Sequence, residues 1–474
     1  VIQSLTSRGK SVALGTVGKW VAARQPSRAD LPHSLWGIDV GPDGTLHRDG
    51  VRLADLVEQF GSPLHVVSGA ALQHRADEAL APFRHGRGAD VFYSYKTNPV
   101  PGVLARLHAN GIGAEVISAF ELWLALRLGV PADRIIYNGP AKSPDSLRVA
   151  VEHGVRMINV NSMGEIATIA AIAAEVGRPA RIGIRVSLPY MWGGQFGLAG
   201  SSPRTIDAVE SAIASAHVHL LGIHFHCGFA LRTADDMSAH VNQSLDFCST
   251  VRDATGWFPD HIDLGGSLTT ATVEHIPRVQ YRLNRALKSD LLPPDTATCL
   301  SVGQAAGLAH QIVTDRCAAL GANMPELVLE PGRGLTGDTQ MLLTTVVDVK
   351  DDRDPVHAVL DAGMNIAEPT KDEYHQLFSV TAPQSEAARS YRLVGPICTP
   401  ADVLYTNWRL PELQPGHVLA IMDTGAYYVP FSTSFSFPRP GIVVQDGADV
   451  SVMRRPETFE DIVSLDGDAM WHDG

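Results

Sequence analysis

Between about residue 90 and residue 330 the chain repeats one unit eight times: a short β-rich apolar run, then a stretch with helical spacing. The runs fall at residues 91–95, 114–117, 135–138, 157–160, 181–186, 220–225, 261–264 and 327–330. Ala- and Leu-rich segments such as 121–128 and 165–176 lie between most of them. Strands alternating with helices build parallel βαβ units with right-handed crossovers. Eight such units predict an α/β fold closed as a (β/α)8 TIM barrel, with a doubly wound open sheet as the structural rival.

After residue 330 the rhythm changes. Runs at 341–350, 356–361, 418–423, 442–445 and 450–453 read as strands without long helices between them. Pro- and Gly-rich turns such as Gly395-Pro396 and Pro438-Arg439-Pro440 separate them. This pattern predicts a C-terminal antiparallel β-domain, of barrel or sandwich type. The expected division is an extension over 1–36, a segment over 37–67 contributing to the β-domain, a barrel over 68–333 and the β-domain over 334–474.

Composition narrows the class. The chain has 474 residues, 45% hydrophobic and 19% charged, enough for two cores without staples. A net charge of -13 repels phosphate backbones and argues against nucleic acid as a partner. The five cysteines (227, 248, 299, 317 and 398) are odd in number and form no C-x-x-C pair, which argues against a disulfide framework or a zinc site. Free thiols suit a cytoplasmic location. No apolar run reaches transmembrane length, and residues 1–30 contain no signal-peptide apolar region.

Barrel chemistry sits at the C-terminal ends of the strands. Lys96 follows the first run directly; partial desolvation there would lower its pKa for Schiff-base chemistry, and a solvated surface lysine is the plain alternative. The sixth run ends in His224-Phe225-His226, whose alternation puts both imidazoles on one face. They could bind a metal, stack on a planar cofactor, or be satisfied core histidines; no further cluster with ligand spacing favours the metal. Gly265, Gly266 and Ser267 follow the seventh run, where backbone N–H groups can approach a phosphate or simply make a tight turn. The eighth run ends in Glu330-Pro331-Gly332-Arg333, with Arg333 suited to a phosphate and Glu330 to a protonated ring nitrogen, or the two to a structural ion pair. Cys398 and Tyr427 lie in the β-domain, where a buried thiol and a core phenol are the default readings.

Taken in order, Y-S-Y-K-T-N, H-F-H-C-G, D-L-G-G, E-P-G-R, G-P-I-C-T-P-A-D and G-A-Y resemble the fold-type-III pyridoxal 5'-phosphate (PLP) decarboxylases, a group that includes diaminopimelate and ornithine decarboxylases. The segments 359–365 and 63–67 share the likeness, which runs from about residue 37 to the end. The resemblance implies a small-molecule amino-acid substrate and a homodimer with shared active sites. It implies that Lys96 carries the cofactor, His226 stacks on its ring and Glu330 pairs with the pyridine nitrogen. Gly265, Gly266, Ser267, Gly332, Arg333 and Tyr427 would hold the phosphate. Cys398 would enter the partner subunit's site as the acid that protonates Cα, and Asp361, Thr399 and Asp402 would meet the distal part of the substrate.

Glu330 favours decarboxylation over the racemase alternative, because the related alanine racemases place an arginine at the ring nitrogen. A non-catalytic homologue that binds a protein partner would be expected to lose Lys96 or Cys398, and both are present. Three departures stand out. Ser267 replaces the usual third glycine, Phe229 replaces a polar residue, and Thr399 replaces the Glu or Asp that contacts a distal amine. The Cys-Thr-Pro-x-Asp form is similar to decarboxylases of specialised metabolism, including those acting on carrier-bound precursors. The aromatic and glycine-rich stretch 190–200 is expected to be a mobile loop near the site that shapes substrate choice.

Overall fold

A computed structural model describes residues 30–86, 88–191, 193–287, 291–381 and 389–466, so most of the expected N-terminal extension lies outside the described residues. The chain forms two compact units. One comprises residues 72–271 and 296–337; the other takes in the described residues up to 71, then 272–295 and those from 338 onward.

Each of the eight apolar runs carries one strand of the first unit. These are β1 (Asp90–Ser94), β2 (Gly113–Val116), β3 (Ile135–Tyr137), β4 (Met157–Val160), β5 (Ala180–Ser187), β6 (Val218–Phe225), β7 (His261–Asp263) and β8 (Glu326–Leu329). All pair in parallel with their neighbours, and β8 pairs with β1, so the sheet closes and the open-sheet rival falls. Strands covered on both faces need no polar alternation, which is why the runs read as continuous apolar blocks.

Helices start soon after the strand ends because capping residues stand there. Ser118, Ser143, Ser162 and Thr233 each accept a backbone N–H from three residues on. Each cap contributes about 1 kcal/mol. At the opposite end of the barrel, Phe92 lies beneath the Arg134 and Arg156 guanidiniums, 4.9 and 5.4 Å from its ring centroid. Asp90 pairs with Arg134, and Glu326 pairs with Arg156 and His261. That end is a closed ion-pair floor, which leaves the strand C-termini for chemistry.

In the second unit the strands run in the order Val403–Leu410, Arg389–Val394, Val356–Leu360, Gln340–Lys350, Leu64–Ser68, Gly441–Asp446, Asp449–Arg454. Val418–Ile421 also pairs with Gln340–Lys350, and Leu377–Ser379 pairs with Val418–Ile421. The sheet is mostly antiparallel, with two corrections to the expectation. Val356–Leu360 runs parallel to Arg389–Val394, and Leu64–Ser68 runs parallel to Gly441–Asp446. Both pairs join segments distant in sequence, so tight turns do not set their direction. Residues 38–40, 46–48 and 51–52 form a separate three-stranded sheet.

Candidate active site

Four buried side chains from four strand ends form a hydrogen-bonded chain inside the first unit. Glu330 follows β8, Asn138 follows β3, Asn159 lies near the end of β4, and Asp263 ends β7. Asn138 Nδ2 donates to Glu330 Oε1 (2.7 Å) and to Glu115 Oε1 (2.9 Å). Asn159 Nδ2 donates to Asn138 Oδ1 (2.8 Å) and to Asp263 Oδ2 (3.2 Å). Asp263 and Glu330 thus stand at the two ends of this amide-linked chain, and each bears electrostatically on the other. Glu115, on β2, also accepts from Ser94 Oγ, two residues before Lys96.

The electrostatics follow from burial and partners. Burial alone would raise Glu330, but His224, Asp263 and Asn138 outweigh it and hold its carboxyl well below the usual range. Burial and the charge of Glu330 push Asp263 and Glu115 the other way. Arg185, near the end of β5, faces Glu330, Glu115 and Asp263. His224 Nε2 lies 3.2 Å from Glu330 Oε2. Burial pushes both imidazoles down, and the charges of Lys96 and Arg185 push His226 further, so both rings are neutral near pH 7.

Lys96 lies half-buried in a 3-10 turn (Tyr95–Thr97) directly after β1, between fully buried Tyr95 and Thr97. A Cβ on Gly332 would strike the Thr97 side chain, so the turn after β8 can approach the lysine turn only as glycine. Arg333 opens the short helix that follows, half-buried.

The glycine turn after β7 is held by side chains at the same end of the barrel. Gly265 N donates to Asp263 Oδ1 (2.9 Å) and Gly266 N to His226 Nδ1 (3.2 Å), so these two N–H groups are engaged internally. What the glycines supply is closeness: a Cβ on either would meet backbone carbonyl oxygen, of Phe225 or Glu330, at 2.5 Å. Ser267 holds a left-handed φ of 68°, which explains the usual glycine there. Its Oγ accepts from Gly228 N at 3.1 Å.

His224, His226 and Glu330 bring ligand-type atoms within 4.8 Å of one another. The Gly266 N–H already occupies His226 Nδ1, and the positive charges of Lys96 and Arg185 bear on both imidazoles, which disfavours a metal cation. The 190–200 stretch is tied to this end of the barrel. Phe196 packs its ring against the Arg185 guanidinium, 4.6 Å to centroid, and Gly197 N donates to Asn161 Oδ1.

In the second unit Cys398 and Thr399 are exposed on a tight turn, with Thr399 N donating to Ile397 O. Asp402 is buried and both its oxygens are committed, to Met364 N and Ile397 N, each at 2.7 Å. Asp361 Oδ1 accepts from Thr344 Oγ1 and Thr345 N. These bonds fasten both aspartates to neighbouring backbone. Tyr427 is half-buried at φ 69° and stacks on Phe431. Its turn is anchored by buried Asp423, whose Oδ1 accepts from Trp36 Nε1 (2.9 Å) and Thr272 Oγ1 (2.8 Å).

Glu115, Asn138, Asn159, Asp263 and Arg185 were not among the expected site residues. Each is a polar residue within or at the end of an apolar run, and that was the available signal.

A sequence model described as "Pyridoxal-dependent decarboxylase, pyridoxal binding domain" matches residues 70–337, more than half of the chain. The diaminopimelate decarboxylase of Methanothermobacter thermautotrophicus is 29% identical over 442 residues, covering 90% of this chain and 96% of that protein. That of Aquifex aeolicus is 29% identical over 439 residues, covering 90% and 96%. The crystal structure of diaminopimelate decarboxylase from M. jannaschii superposes with a TM-score of 0.79 at 25% identity, covering 91% of this chain and 97% of that one. Among the described residues no helix is long and apolar enough to cross a membrane.

Proposed function

Because this chain belongs to the pyridoxal-dependent decarboxylases of fold type III, and is a PLP-dependent amino-acid decarboxylase, we propose that its reaction centre is built on Lys96, His226, Glu330, Arg333 and Cys398. The observation that carries this reading is the buried Glu330 at the end of β8, which accepts from Asn138 Nδ2 (2.7 Å) and has His224 Nε2 at 3.2 Å.

The residues fit the cofactor. Glu330 offers an anionic acceptor for a protonated ring nitrogen, and His226 offers a neutral imidazole face. The turn at Gly265 and Gly266 has no room for side chains, and Arg333 stands beyond β8. Bound PLP supplies an electron sink for the charge left at Cα when carbon dioxide departs.

The chain's own residues do the rest. Lys96 would hold the cofactor covalently through Nζ. Glu330 keeps the proton on the ring nitrogen, which strengthens the sink and disfavours a racemase, where that sink is weaker. His226 packs on the ring without adding charge. Arg333 would neutralise the phosphate, with Gly332 and Ser267 beside it. Cys398 Sγ, exposed on its turn, returns a proton to Cα in the site of a second copy of the chain.

Thr399 carries no charge, so it cannot replace a carboxylate that binds a distal ammonium. The substrate that fits is an amino acid or amino-acid conjugate whose far end is not held by charge at that position. Diaminopimelate, which gives the relatives their name, is the comparison to run beside it.

Borohydride reduction of the yellow protein should fix the cofactor on Lys96, and colourless protein that takes no label from added PLP would sink the assignment. Release of carbon dioxide across both enantiomers of basic amino acids, meso-diaminopimelate and conjugated diamino acids identifies the substrate. Cys398→Ala should slow product protonation far more than cofactor loading.

A further inference from the structure

Lys142 follows β3, and its side chain is 0% exposed. Its Nζ donates to Glu165 Oε1 and to Gly139 O, each at 2.8 Å. Glu165 stands in the first turn of the helix after β4 (Met163–Val176), and its Oε2 accepts from Asn161 N (2.7 Å). Asn161 Nδ2 donates to the same Gly139 O (2.7 Å), which closes the network on itself. An ion pair this buried gains little stability over apolar side chains of the same volume, but it fixes the positions of the groups it bonds.

Asn161 carries that fixed geometry outward. Gly139 O can only accept, so it turns Nδ2 toward itself and leaves Oδ1 to receive Gly197 N (2.9 Å). Residues 197–199 lie close against β5. A Cβ on Gly197 would meet Arg185 O at 2.6 Å, and Leu198 and Ala199 pair with Val186 and Ser187. Phe196, the preceding residue, lays its ring on the Arg185 guanidinium, 4.6 Å to centroid. Arg185 is the register partner of His224, which in turn pairs with Asp263. Register partners in a parallel sheet point to one face, so Arg185 projects inward with His224, whose Nε2 lies 3.2 Å from Glu330 Oε2.

We infer that Asn161 is a positioning residue: held by the buried Lys142–Glu165 pair, it docks residues 196–199 on the barrel, so that Phe196 shields Arg185 and that side of the candidate site from water. The segment's other end is tied separately, with Tyr190 Oη 3.2 Å from His240 Nδ1. Gly193, Gly194 and Gln195 between the two ties are exposed. Glycines leave that stretch many conformations, so Phe196 is placed from the Gly197 side. The shielding role rests on the proposed site around Lys96 and Glu330; the docking role stands apart from it.

Hydrogen–deuterium exchange of the full chain, with and without PLP, reads the docking. Asn161→Ala should speed exchange of the Gly197 amide about tenfold. Asn161→Asp also loses the bond to Gly139 O, but it keeps an acceptor for Gly197 N, and the Lys142 ammonium stands at the same carbonyl to offset the new charge. Its exchange should stay within about threefold of the unmodified protein. A general loss of stability would move both variants alike. Lys142→Met should behave like Asn161→Ala, although the bonds of Lys142 go to Gly139 and Glu165. Glu165→Ala, with the same expectation, replaces it if it does not fold.

An unchanged rate in Asn161→Ala, or equal rates in Asn161→Ala and Asn161→Asp, overturns the docking. An unchanged rate in Lys142→Met or Glu165→Ala overturns the part given to the ion pair. For the shielding, borohydride fixes PLP on Lys96 as a fluorescent pyridoxyl group, and acrylamide quenching reads its exposure to solvent. Quenching should rise about twofold or more in Asn161→Ala and Phe196→Ala, and not in Asn161→Asp. Equal quenching in Phe196→Ala and the unmodified protein overturns the shielding. Failure of borohydride to label Lys96 would sink the proposed function, while exchange without PLP still decides the docking.

Discussion

Asn138 Nδ2 donates to Glu330 Oε1 across 2.7 Å, between side chains 192 residues apart in the chain. A hydrogen bond to a buried charged group contributes about 1.5–3 kcal/mol. Asn138→Ala should therefore let the Glu330 carboxyl rise toward its neighbours' range and weaken its hold on a proton at the ring nitrogen. We expect kcat for carbon dioxide release to fall by about tenfold or more, with the fold intact by circular dichroism. An unchanged kcat would show that the amide is only filling space.

Ser267 combines a cost with a gain. Its left-handed φ costs about 1 kcal/mol for a residue with a Cβ. The bond from Gly228 N to its Oγ returns about 1 kcal/mol. Ser267→Gly should leave the urea midpoint nearly unchanged, and Ser267→Ala should lose about 1 kcal/mol, because it keeps the strain and drops the bond. Equal stability of the two variants would contradict this.

Asp402 fastens the turn that carries Cys398. Asp402→Ala leaves the N–H groups of Met364 and Ile397 buried without acceptors, at a cost of about 2–4 kcal/mol. Asp402→Asn should be little better, since one of the two oxygens becomes a donor facing an N–H. Urea denaturation measures the loss. A rise in KM with stability unchanged would instead restore Asp402 to the substrate.

Burial pushes the Asp423 carboxyl up to about 6, against His375 and the bonds from Trp36 and Thr272. The folded protein then holds a proton that the unfolded chain has already released. Stability falls as pH rises from about 4 to about 6 and levels off above that, by about 3 kcal/mol for this group. Asp423→Asn keeps an oxygen for Trp36 and Thr272 but has no proton to lose. Its stability relative to the unmodified protein should therefore rise across that window, as measured by urea melts at both ends. A constant difference would place the Asp423 proton elsewhere.

The barrel was legible because its signal is local. Each strand needs only a short apolar run, and each helix a cap such as Ser118 or Ser162 directly after it. The placement of Lys96, His226 and Glu330 just beyond strand ends was legible for the same reason. The strands at 377–379, 389–394 and 403–410 were not foreseen, since runs such as Arg389–Val394 bury only alternate residues and lie among turn signals.

What the chain's own order determined was the count of eight strands, the end of the barrel at which the chemistry lies, and the residue types that reach it. What only the tertiary structure decided was which of those residues hydrogen-bond one another. Asn138, Asn159, Asp263 and Glu330 come from the ends of four strands, and closure of the barrel aims them at one point. Periodicity tells that a residue is inside; it does not tell which distant inward side chain it meets. Direction was decided the same way for Leu64–Ser68 beside Gly441–Asp446, because no turn joins them and packing alone sets their sense.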